Sequence, residues 1–508
     1  MFSSSVNRRA ALGGLSLSAI LALAPRLAAA QTPAVDAALS EPFSVELLRD
    51  KARRLAAAPY VKPPAAPTMT GLSYDDYFQI RFRKDADLWK DRQPPFRAEF
   101  FPPAYLYPRP LPIYEVAAGL ARPIAFDPAM FDIPGEHADV AKGWSGFSGF
   151  RLLWPLNEAD KMDEIAVFQG ASYFRSLGRG QRYGLSARGL AIGAGEPNEE
   201  FPDFIAFWLE RPPMDGDAVT VHALMDSPSC TGAYSFTIRP GEDVVFDVAA
   251  AVFPRAAMAK AGVAAMSSMF LFNVADASPV DDFRTAVHDS DGLAIWTGRG
   301  EHLWRPLQNP KAHRLSNFPD DSPKGFGLVQ RARTLEDFGD LQARYDLRPS
   351  LWVEPLDAWG EGAVHLAELA TTKETDDNIA IFWRPETPWQ AGSQIELRYR
   401  LHWGQERFAS PDARVFRTRT GADAQAGLRL FTVDLQGGAL AEGLDGVALE
   451  IQADGGTIVW KDLSPYPDEA AARAAFGLRP TKASVDLSLR LVRGDQAISE
   501  TWRYLWTA

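Results

Sequence analysis

From about residue 96 onward the chain is written in short apolar or alternating runs, each cut off by Gly, Pro, Asn or Asp. PIYEV, GFRLLW, EIAVFQG, VTVHALM, YSFTIRPG, VVFDVAAAVF, LAIWTG, HLWRPL, AVHLAEL and NIAIFW are examples. A period of two sends alternate side chains to opposite faces, and closely spaced turn residues keep each strand short. Helical spacing is confined to the start. Phe43, Leu47, Leu48 and Ala52 share one face of a helix expected over 43–58, Pro63, Pro64 and Pro67 interrupt it, and a short helix is expected over 74–80. The pattern predicts an all-β protein built on a large antiparallel β-sandwich. AGSQIELRYRLHW reads as a closing strand that ends at Trp403, and a boundary is expected beside it at Gly404. The runs that follow (FRTRTG, LRLFTVDL, VALEIQA, TIVWKDL, SVDLSLRLVRG and ETWRYLW) suit a smaller immunoglobulin-like sandwich. The expected parts are therefore an export signal over 1–30, a large sandwich over 31–403 and the smaller one over 404–508.

Residues 1–30 place a basic pair, Arg8-Arg9, before a mildly apolar stretch from Ala10 to Ala24, with Ala28-Ala29-Ala30 as a small-residue cleavage site. The pair resembles a twin-arginine export signal, with the general secretory route as the alternative. The mature chain is expected to start near Gln31, in the periplasm, with no later segment able to span a membrane. A net charge of −12 argues against nucleic acid as a partner, because an acidic surface repels phosphates; a neutral sugar polymer is compatible with it. The single cysteine, Cys230, excludes an internal disulfide and a cysteine-based zinc cluster and is expected to be buried.

Three stretches hold polar residues in patterns that invite chemistry. Gln169–Ile192 is rich in glycine, but it lacks the Gly-Lys-Ser/Thr ending of a phosphate loop and opens no helix, so it reads as strands and turns in which Tyr173, Phe174, Arg175 and Tyr183 line a cleft or pack. In VHDSDGL, Asp289 and Asp291 would face the same way on a strand. No Glu completes a calcium loop, and a turn at a strand start is the plainer reading. In TTKETDDNIAIFW, the acids Glu374, Asp376 and Asp377 abut an apolar strand that ends in Trp383. Such acids usually belong to a solvated turn, but a carboxylate held against Trp383 would have the raised pKa of a general acid. Trp352 and Trp383 are the candidates for stacking on sugar rings. There is no Gly-x-Ser-x-Gly elbow and no His-Glu-x-x-His, so two separated carboxylates are the constellation left with a mechanism, and it calls for no metal and no cofactor.

The strings YDDYFQIRFR, FQGASYFRSLGRGQRYGLSARGLAI, SPSCTGAYSFTIRPG, VHDSDGLAIWTG, EHLWRPLQNP, PKGFGLVQR, YDLRPSLWVEP and ETDDNIAIFW resemble those of the OpgG/OpgD (MdoG/MdoD) family of periplasmic glucan biosynthesis proteins. The resemblance implies a mutarotase-like sugar-binding sandwich followed by an immunoglobulin-like domain. It also implies a β-1,2-linked glucan as substrate and inverting hydrolysis or transglycosylation as the chemistry. The alternative is a glucan-binding protein that assists a membrane glucan synthase. Carried over residue by residue, it makes Asp289 the general base and Asp377 the general acid, with the two roles exchangeable. Glu374 becomes an acidic neighbour suited to proton relay, and Tyr345 lies in a string that lines the glucan cleft. The twin-arginine pair favours the D-type member.

Overall fold

The computed structural model describes residues 40–508 except 64–71, 91–95, 214–215, 276–280, 407–411, 426 and 468; the expected export signal lies outside the described residues. The first helix, Val45–Ala57, is capped by Ser44, whose hydroxyl accepts from the Leu47 amide at 3.2 Å. Glu46 in its first turn and Arg54 in its last complement the helix dipole. Its buried residues Leu48 and Ala52 pack with Trp208 and Phe253 on a sheet face. The short helix Tyr74–Gln79 is closed at its start by a reciprocal Ser73–Asp76 capping box.

Beyond these, the described residues hold only short helical turns, such as Ala138–Ala141 and Leu335–Phe338, and the rest of the regular structure is sheet. The largest sheet has sixteen strands and runs from Glu41–Pro42 through Asp203–Glu210, Val219–Asp226, Cys230–Arg239, Val244–Pro254 and Ile395–Gly404 to Ser350–Pro355, Gly325–Val329, Gly292–Trp296 and His302–Pro306. It does not stop there, but continues through Thr501–Thr507 and Ser484–Arg493 to Val447–Asp454. A ten-stranded sheet covers one part of it and includes Ile379–Pro385, Ala261–Ser268, Ser186–Arg188 and Tyr173–Ser176. A four-stranded sheet of Arg414–Ala422, Arg429–Gln436, Ala471–Pro480 and Gly456–Pro465 accompanies the far end. Among the described strands pairing is antiparallel, as expected, except that Phe207–Glu210 runs parallel to 113–116 and Leu303–Trp304 to Thr501–Trp502, and the isolated bridge between Ala413 and Ser499 is also parallel.

The main core is aromatic. Phe168 stacks on Phe174 at 5.3 Å and meets Phe236 edge-on, and Phe246 lies 4.8 Å from Trp403. Each such side chain contributes about 1.5–3 kcal/mol by leaving water. A second core forms on the other face of the large sheet, because neighbours along a strand point to opposite sides. In Ser350–Pro355, Leu351 and Val353 enter the first core while Trp352 enters the second, with Trp304, Val415, Phe431, Phe476 and Trp502. The Trp352 ring lies directly over the backbone of Gly325, where a Cβ would overlap it. Cys230 is fully buried, and burial pushes its thiol up to about 12.

Candidate active site

Asp289 and Asp377 are far apart in sequence and are gathered by one short segment, residues 268–270. Asp289 follows the two-residue strand Val287–His288, which pairs with Phe270–Phe272, and its amide donates to the Met269 carbonyl at 2.9 Å. Asp377 precedes the strand Ile379–Pro385, in which Ile379 lies opposite Ser268. Between them Asn378 closes the gap. Its Oδ1 accepts from the Phe270 amide at 2.8 Å, and its Nδ2 donates to the carbonyls of Phe270 at 2.9 Å and Leu369 at 3.0 Å. The peptide link between Met269 and Phe270 is thus held by Asp289 on one side and by the neighbour of Asp377 on the other.

Both carboxylates are taken out of water and set against arginines. Asp289 is 9% exposed, with Arg348 Nε 3.4 Å from its Oδ1. Burial pushes its pKa up, the positive charges of Arg348, Arg175 and His288 pull it back, and the charge of Glu374 adds to the rise. Asp377 has Arg175 Nη2 3.7 Å from its Oδ2. Burial raises its pKa to about 6 against the pull of Arg175 and Arg188, and the negative charges of Asp289 and Asp376 contribute. Arg175 therefore acts on both acids, and Ser186 Oγ, 2.7 Å from its Nε, steadies it. Arg188 hydrogen-bonds Ser267 and Glu199 and stands 4.8 Å over the ring of Tyr173, whose hydroxyl is pushed up to about 12, chiefly by burial. Glu374 is held 2.8 Å from Arg284, which also binds Asp282 and Asp340.

Several expectations need correction. Asp289 and Asp291 sit in the turn between the strands Val287–His288 and Gly292–Trp296, as the plainer reading had it, and not on a strand. Asp291 Oδ2 accepts from the amides of Arg331 and Ala332, which makes it a loop clamp. Trp383 does not press on Asp377. Six residues of extended chain separate them, about 20 Å, and Trp383 is 1% exposed in the main core. Trp352, at 4%, is enclosed in the second core and offers no face to a sugar. Tyr345 is 2% exposed, with its ring against Phe338 and 5.2 Å from the Arg348 guanidinium, so it backs the arginine beside Asp289. Sequence reasoning missed Arg348, Arg188 and Asn378. Only Asn378 had a local signal, its place directly after Asp377. Among the described residues no group of three or more His, Cys, Asp or Glu is placed to hold a metal ion, and no helix is long and apolar enough to cross a membrane.

An all-β sandwich that sets a pair of carboxylates among arginines and a tyrosine is an arrangement that suits a carbohydrate-handling protein. Residues 43–506 match the family model described as "Periplasmic glucan biosynthesis protein, MdoG", and the chain belongs to that family, whose compartment is the periplasm. It is 44% identical to glucans biosynthesis protein G of Rhodopseudomonas palustris strain ATCC BAA-98 / CGA009, over 99% of this chain and 100% of the relative. It is also 44% identical to glucans biosynthesis protein D 1 of Ralstonia nicotianae, over 96% of each, and 42% identical to the G protein of Bradyrhizobium diazoefficiens, over 99% of this chain and all of the relative. G-named and D-named relatives stand at equal identity, so the comparison does not separate the two types.

Proposed function

We propose that this protein is an inverting hydrolase of β-1,2-linked glucan, with Asp377 as general acid and Asp289 as general base. The observation that carries the reading is Asp377, a carboxyl whose pKa is raised to about 6 by burial beside a second buried carboxylate. In inversion one carboxylic acid protonates the leaving oxygen while a carboxylate on the other side of the sugar activates water, with the pair about 6.5–9.5 Å apart. Asp377 is suited to the first task because it keeps its proton at mildly acidic pH. Asp289 is assigned the second because, although burial raises its pKa, Arg348 and Arg175 offset part of that rise. Glu374, whose charge is felt at Asp289, is placed to assist a proton relay. In this reading the site belongs to a glucan-binding part over 31–403, and residues 404–508 support it.

The test is to incubate the pure protein with linear β-1,2-glucan and analyse the products. Shorter oligosaccharides with an inverted anomeric centre are expected. New linkages or closed rings would make the protein a transglycosylase. Unchanged polymer that is nonetheless bound would make it a carrier that hands glucan to a membrane synthase. Either result overturns the hydrolase reading.

A further inference from the structure

The turn that carries Asp289 is held from a second side, away from residues 268–270. Asp291 donates its amide to the Val329 carbonyl at 2.8 Å, and its Oδ2 accepts from the amides of Arg331 and Ala332 at 2.5 and 2.6 Å. The backbone of Arg331 thus fixes one end of the turn. Its buried side chain reaches instead into the part of the chain beyond Gly404. Nη2 lies 2.6 Å from Glu406 Oε1 and 2.7 Å from Glu500 Oε1, and Nη1 lies 2.9 Å from Glu500 Oε2 and also donates to the Val415 carbonyl. Glu500 Oε2 accepts in addition from the Val415 amide at 2.9 Å, and the guanidinium carbon stands 3.7 Å over the ring of Trp304. Arg414, 3.2 Å from Glu406, completes a set in which two arginines face two glutamates.

We propose that Arg331 is a positioning residue for the general base: gripped through its side chain by Glu406, Glu500 and Val415, it holds Asp291 through its backbone and so sets where the Asp289 carboxylate stands. This rests on the reading of Asp289 as the base of a glucan hydrolase. A buried ion pair adds little net stability, because taking the charges out of water costs about what their attraction returns, but a two-pronged arginine–carboxylate contact fixes direction. Only Ser290 separates Asp291 from Asp289. It has no slack to absorb a shift, being fully buried with its hydroxyl 2.9 Å from that of Ser268. A displacement of about 1 Å at a reacting group costs about 100-fold in rate, so a small movement of Arg331 is felt in the chemistry. Residues 404–508 thereby bear on the reaction through the backbone of this turn.

The experiment compares Glu500→Gln, which turns one fork oxygen into a donor facing Arg331, with Arg331→Lys, which keeps the charge but not the fork. Val485→Ala is the control: it loosens the second core and leaves these ion pairs untouched. In Glu500→Gln and Arg331→Lys, amide hydrogen exchange over residues 289–293 and 330–333 is expected to quicken at least about tenfold. Their kcat on linear β-1,2-glucan should fall about 10–100-fold with KM unchanged, while Val485→Ala keeps the parent kcat. Unchanged exchange, a rise in KM with kcat intact, or an equal fall in kcat for Val485→Ala would overturn the positioning role while leaving the hydrolase reading in place. A parent protein that does not cleave glucan removes the hydrolase reading, and with it the base that Arg331 would position.

Discussion

Replacing Asp377 by Asn removes a charge that the fold buries at a cost, and the cost can be worked out from the site. The carboxyl is raised from 3.8 to about 6, and that shift is already net of the attraction of Arg175 and Arg188. At about 1.4 kcal/mol per pKa unit, ionised Asp377 destabilises the folded state by about 3 kcal/mol relative to the unfolded chain. Because the folded value lies above the unfolded one, the native protein holds its proton more tightly. The stability is fully present below about pH 4 and falls as the pH rises through about 6. Asn has nearly the same shape and never ionises. Asp377→Asn is therefore expected to match the parent protein near pH 4 and to exceed it by about 3 kcal/mol at pH values above about 7. Urea unfolding across that range measures the difference through the midpoint. The same variant should lose about 10²–10⁴-fold in kcat, because an amide cannot supply the proton. A variant that is no more stable than the parent at neutral pH, or whose stability difference does not change with pH, would refute the idea of a buried, proton-holding acid. Retained turnover would refute its catalytic role.

Asn378→Ala removes three hydrogen bonds and leaves the amide and carbonyl of Phe270 unpaired in the interior; about 3 kcal/mol of stability is expected to be lost in urea unfolding, with kcat falling more than KM rises because both aspartates lose their shared seat. Trp352→Ala is expected to cost about 3–5 kcal/mol by opening a cavity in the second core, while glucan affinity of the folded fraction stays unchanged; weakened affinity would return Trp352 to the binding site.

The strands were legible because their period of two is local. What a single strand cannot encode is which neighbour lies on each face. Leu351 and Trp352 are both apolar, and only the pairing of Ser350–Pro355 with strands far away in sequence decides that they enter different cores. For the same reason the boundary expected at Gly404 was readable as the end of a strand, while the continuation of the large sheet through Thr501–Thr507 was not. In the site, Asp289 and Asp377 were named through strings of family-like sequence rather than through spacing. Arg348 and Asn378 lie in those same strings, and Asn378 directly follows Asp377, but their parts depend on how residues 268–270 dock between two distant turns. Trp383 misled because adjacency in sequence suggested adjacency in space, and an extended strand carries its ends apart.

The parallel pairing of Thr501–Thr507 with His302–Pro306 also governs the order in which the molecule can be finished. Leu303 faces Thr501 across a long stretch of intervening chain, so the sheet stays open at that point until residues made late in synthesis arrive. Thr501–Thr507 also pairs with Ser484–Arg493, which makes it the mortar between two blocks that otherwise expose raw strand edges to each other. A copy without those seven residues would present both edges to solvent, ready to pair with other chains. The strand is in effect a seal against self-association in a crowded compartment, and damage to it would be felt first as insolubility rather than as a change in how sugar is handled.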